Sequence, residues 1–113
     1  MEYFSLTEAR ELLPKVQQTT KKYYDLVEKL YQNLNTKTSH LEKEEIQDKI
    51  ENYIQIWASE MIKLGLEVKG PWLVDFDSGD GYFFCWKYDE EDIKFFHLYE
   101  TGFSGRRPIE LLE

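Results

Sequence analysis

One cysteine, Cys85, is all the chain contains, so no intrachain disulfide can brace it. Long apolar runs are missing as well. No stretch approaches the ~20 residues needed to cross a bilayer, and the opening MEYFSLTEAR has neither a basic nor an apolar leader segment. A cytoplasmic location is the expectation. Positive charge is scarce, with 14 basic against 22 acidic side chains and a formal charge of -8. From Gly65 onward the imbalance sharpens to 5 basic against 11 acidic. Such a chain lacks the field that draws phosphate backbones or anionic membranes, so neither nucleic acid nor a membrane surface is an expected partner. Proline is limited to three positions, 14, 71 and 108, and leaves long stretches free to be regular.

The 113 residues suffice for one domain with its own core. No repeat, low-complexity tract or linker divides them. Two capping-box signatures, Ser5-Leu6-Thr7-Glu8 and Ser39-His40-Leu41-Glu42, mark helix starts. Pro14 lies too deep for the first helix to continue undisturbed, because it has no N–H and crowds the preceding turn. A short helix to Leu13 and a long one over 14–34 are predicted. Val16, Thr20, Tyr23, Val27, Leu30 and Leu34 form one stripe; Ile46, Ile50, Tyr53, Ile54, Trp57, Met61 and Leu64 form another. A loop is predicted over 35–38, and Gly65 sits where a helix-ending glycine belongs.

After Gly65 the period shortens to that of strands. Segments 66–69, 73–76, 82–88 and 93–99 are rich in aromatic and β-branched residues, and turn chemistry or a charged tip separates them. The expected architecture is α+β: a long N-terminal antiparallel helical hairpin (1–65) packed on an antiparallel β-meander of three to four strands with an irregular tail (66–113). Tyr24, Leu26, Tyr31 and Ile62 lie off the main stripes, so self-association through the helices into a homodimer is expected.

The aromatic strands are interrupted by Asp75, Cys85, Lys87, His97, Glu100, Arg106 and Arg107. Isolated ionisable groups in such surroundings are costly unless paired or used. Cys85 and His97 lie on neighbouring strands. Pairing Tyr88 with Ile93 puts them on opposite faces; a one-residue slip sets them opposite each other. Only a shared face permits a metal or a thiol–imidazole pair, completed by Asp75 or Glu100. The commoner fates are a small apolar filler for Cys85 and a hydrogen-bonded core residue for His97. Lys87 lacks a nuclease's acid two positions earlier, where Cys85 stands. In the tail, Gly102-Phe103-Ser104-Gly105-Arg106-Arg107-Pro108 pairs turn glycines with two guanidinium forks suited to an anion. The alternative is that Arg106 ties the tail to a nearby acid. Trp72 and Trp86 either line a pocket there or belong to the core.

Several segments resemble the domain of unknown function 2203 family: FSLTEARELLP at 4–14, GLEVKGP at 65–71, LVDF at 73–76, Asp80-Gly81, CWK at 85–87, His97 and GFSGRRP at 102–108. The resemblance implies no activity. It implies that the polar residues of the C-terminal half belong to a shared pattern. This chain departs from that pattern with Asp89-Glu90 at the hairpin tip, Phe96 before the histidine and Leu98 after it.

Together these readings lead to a binding or interaction module rather than an enzyme, with no catalytic residue and no cofactor assigned. Its small-anion site would be built from Arg106, Arg107, His97, Lys87, Asp75 and Trp86. The alternative is a metal-assisted hydrolase using Asp75, Cys85, His97 and Glu100.

Overall fold

The computed structural model describes residues 2–36 and 39–112. Two long helices, α1 (Leu6–Thr36) and α2 (His40–Lys63), form the antiparallel hairpin. Five strands follow: β1 (Glu67–Gly70), β2 (Leu73–Asp77), β3 (Tyr82–Lys87), β4 (Phe95–Leu98) and β5 (Arg107–Pro108). They pair antiparallel in chain order, β1-β2-β3-β4-β5. The α+β meander is as expected, with the tail adding a fifth strand. Of the predicted loop, Asn35 and Thr36 are helical, and Lys37 and Thr38 lie outside the described residues.

Both helix starts are capped as their sequences indicate. The Glu8 amide donates to Ser5 Oγ at 3.1 Å, and the Ser5 amide donates to Glu8 Oε1 at 2.9 Å. At the second start the Glu42 amide donates to Ser39 Oγ. α2 ends as Gly65 turns to a φ of +91°, which lets the Leu66 amide reach the Met61 carbonyl. A side chain at Gly65 would also strike Glu2.

Pro14 does not divide the first helix; α1 runs through it. The bond it removes would have ended on the Arg10 carbonyl, and Pro14 lies on the exposed side, where water can satisfy that group. Ala9 and Leu13 before it and Val16 after it are all buried along one face. Packing on both sides of the proline keeps the helix continuous through its weakest turn.

Alternation along the strands separates the two faces of the sheet. Val74, Phe76, Phe84, Trp86 and Phe96 share the helix-facing core with Leu13, Val16, Tyr23, Trp57 and Met61. In its midst, the Trp57 indole N–H donates to Thr20 Oγ1 at 2.9 Å. Tyr24 stacks on Trp72 and Tyr88, so this off-stripe aromatic is used within the chain, whereas Tyr31 and Ile62 are exposed. The opposite face of β2, β3 and β4 carries Asp75, Phe83, Cys85, Phe95 and His97.

Candidate functional site

The β3–β4 register decides which side chains meet. Cys85 pairs with Phe95 and Phe83 with His97. This is neither of the two registers weighed from the sequence: the pairing slips by one residue in the other direction. Cys85 and His97 therefore share a face but sit diagonally. The slip has a local cause. Ile93 leaves the strand and is fully buried in the core, while the Glu90 carbonyl accepts from Trp86 Nε1 and from Gln17. The connection is pulled beneath α1, and β4 begins only at Phe95.

On the open face, Asp75 of β2 stands directly opposite Cys85 of β3. His97 reaches over β3 from β4, and its Nε2 lies 2.9 Å from Asp75 Oδ2. One donor atom from each of Asp75, Cys85 and His97 lies within 4.8 Å of the others. All three residues are buried, with Asp75 at 0% exposure. Asp75 Oδ1 has no hydrogen-bond partner among the described residues. The other ring nitrogen, His97 Nδ1, is 3.0 Å from the Leu98 carbonyl. Because a carbonyl can only accept, Nδ1 carries the proton in that bond.

These three side chains form the floor of a pocket of about 420 Å³. Phe83, Tyr99 and Phe103 supply aromatic wall, Lys69 stands on the β1 side, and Glu100 and Thr101 come from the strap that follows β4. That strap is fastened: Tyr99 OH donates to Asp77 Oδ1, and Thr101 Oγ1 donates to the Leu98 carbonyl. Burial pushes the Asp75 carboxyl above the ordinary range; His97, the Cys85 thiol and Lys69 oppose the rise. Burial, with Asp75 beside it, pushes the Cys85 thiol up to about 12, so on its own it stays protonated at neutral pH.

The residues predicted for a site divide into those the fold brings together and those it does not. Asp75, Cys85 and His97 converge, and Glu100 is exposed on the pocket lining outside that trio. Arg106 is committed elsewhere. It donates to both carboxylate oxygens of Glu90 at 2.6 and 2.8 Å and to the Cys85 carbonyl, between the rings of Phe95 and Phe103. Burial works against its charge, but the Glu90 bonds hold its pKa above the usual value. Arg107 is exposed on β5, and Lys87 is exposed with its ammonium over the Phe103 ring. Trp86 is core, on the other side of the sheet, and Trp72 packs against Trp57. The two arginines and Trp86 thus do not frame a common anion site: Arg106 is a clasp, and alternation turns Trp86 inward.

Sequence reasoning missed Lys69, Phe83, Tyr99, Thr101 and Phe103 as walls, and Glu90 as the partner of Arg106. Strand alternation does reach two of them: Lys69 lies two residues beyond Glu67, which pairs with Asp75, and Phe83 lies two residues before Cys85. Nothing local distinguishes Glu90 from the acids around it.

A family model described as an uncharacterized conserved protein, DUF2203, matches residues 2–109. The chain belongs to that family. No curated protein and no solved structure matches it. The family-like segments now have places: the α1 cap, the strands carrying Asp75, Cys85 and His97, and the strap and clasp from Gly102 to Pro108. Leu98, next to His97, packs against the core side. No helix among the described residues is long and apolar enough to cross a membrane.

Proposed function

We propose that this protein binds a small polar molecule in the pocket on the open face of its sheet. The observation that carries this reading is Asp75 Oδ1: a buried carboxylate oxygen with no hydrogen-bond partner among the described residues, at the floor of a pocket. An unmet acceptor in a buried site costs about 1–3 kcal/mol, and a ligand donor would remove that cost. The ligand class is a small molecule with at least one N–H or O–H donor for Asp75 and an apolar or planar part for Phe83, Tyr99 and Phe103. Lys69, whose ammonium donates to Glu67 Oε1 at 3.0 Å and lies over the Phe83 ring, borders the same pocket. The reading is of binding; the free Cys85 thiol, pushed up to about 12 by burial, does not serve as a nucleophile at neutral pH.

A thermal-shift screen with small amines, amino acids, hydroxy acids and carboxylates tests it. At least one class should raise the melting temperature of the wild-type chain and fail to do so in Gly102→Trp, which fills the pocket from its wall. Equal shifts in both proteins, or none across the panel, would end this reading.

A further inference from the structure

The pocket floor has the features of a metal site. We propose that Asp75, Cys85 and His97 hold a zinc ion, with its fourth coordination position open to the pocket.

Geometry comes first. A tetrahedral zinc with nitrogen and oxygen at ~2.0–2.1 Å and sulfur at ~2.3 Å sets its ligand atoms roughly 3.3–3.5 Å apart. The three donor atoms lie within 4.8 Å of one another, and His97 Nε2 and Asp75 Oδ2 are 2.9 Å apart. The cluster is thus of the size that one ion can span. The donors come from β2, β3 and β4, which are hydrogen-bonded neighbours, so the backbone beneath them is already fixed.

The hydrogen bonds point the same way. With Nδ1 donating to the Leu98 carbonyl, a neutral His97 presents the lone pair of Nε2 to a carboxylate oxygen. Two acceptors at 2.9 Å require something positive between them, either a proton or a metal. A histidine whose second nitrogen donates to a backbone carbonyl is the usual arrangement of a metal ligand, because that bond fixes both the tautomer and the ring. Asp75 Oδ1, buried and without a hydrogen-bond partner among the described residues, is a further acceptor at the same spot.

Charge and donor type select the metal. One thiolate, one carboxylate and one neutral imidazole cancel the charge of a divalent ion, which leaves a neutral centre in a buried place. Sulfur with nitrogen suits zinc and its neighbours; magnesium and calcium prefer oxygen alone. Binding would expel the Cys85 thiol proton to solvent, as coordination does for thiols in general. Three protein ligands and one open position is the pattern of zinc sites that meet a ligand, whereas structural sites close with four. The open position rests on the pocket reading above; the ion itself does not.

Cobalt(II) is the probe, added to the EDTA-stripped full chain and followed by absorption. The wild-type protein should take up one equivalent with tetrahedral d–d bands and a thiolate-to-cobalt charge-transfer band, and zinc should displace it. Cys85→Ser should lose the charge-transfer band. Asp75→Asn, an uncharged near-isostere expected to fold, should lose at least tenfold in affinity. His40→Ala, which removes the one other histidine, on the exposed start of α2, should change nothing. Absence of stoichiometric uptake by the wild type overturns the proposal. So does an unchanged spectrum in Cys85→Ser. Metal uptake combined with a silent small-molecule screen upholds the zinc site and overturns the pocket reading alone.

Discussion

Arg106 and Glu90 meet in a two-bonded ion pair that joins the tail to the β3–β4 connection. Both side chains are largely buried, and Glu90 Oε1 also accepts from the Lys87 amide. A planar guanidinium matched to a carboxylate is the strong form of this interaction. Glu90→Ala would strand the Arg106 charge, with Nε already lacking a partner among the described residues. Removing one partner of a buried pair is far more costly than replacing both. The expected loss is about 2–3 kcal/mol, read as a lower urea midpoint at unchanged slope. Arg106→Lys should lose most of that too, because an ammonium cannot make the fork. A Glu90→Ala protein within about 0.5 kcal/mol of wild type would show that the clasp is idle.

Asp75 sets stability against binding. Its folded carboxyl titrates above the ordinary range, chiefly through burial. The folded state therefore holds this proton more tightly than the unfolded chain does. The resulting stability is present at acidic pH and is lost as pH rises from the ordinary carboxyl range through the folded value. In metal-free buffer, Asp75→Asn should melt at or above the wild-type temperature near neutral pH, by roughly 4 °C if about 1 kcal/mol is recovered. The gap should narrow on acidification. Thermal unfolding between acidic and neutral pH in EDTA is the measurement, and a substituted protein that melts well below wild type at neutral pH contradicts it.

Thr20 offers a test of the core. Its hydroxyl oxygen accepts from Trp57 Nε1, and both residues are at 0% exposure. Thr20→Val keeps the shape but orphans the indole N–H, at a cost of about 1–3 kcal/mol. Thr20→Ser keeps the acceptor and should lie closer to wild type. Urea unfolding of the two variants side by side would expose the error if valine proved the milder change.

What could be read from the chain was mostly local. The caps at Ser5 and Ser39, the helical stripes and the stop at Gly65 depend on residues a turn or less apart, and the structure shows each of them. Pro14 was misleading because its local penalty is outweighed by burial of Ala9, Leu13 and Val16 against distant partners. Asp75, Cys85 and His97 stood out by chemistry, but their meeting required a register set by Ile93 and by contacts from Gln17. The choice of Glu90 over its acidic neighbours has the same origin: only the folded loop aims one of them at Arg106.

The meander has a bearing on how the molecule assembles. Each strand pairs with the one made just before it, so the three floor residues are gathered by closing two successive hairpins. His97 is only 22 residues from Asp75, whereas Trp57 reaches Thr20 across 37. Loop-closure entropy grows slowly with length, but it must be met before a contact yields anything. The pocket floor is thus joined by contacts nearer in sequence than the one that ties the two helices at Thr20 and Trp57, and the helical hairpin covers its reverse side.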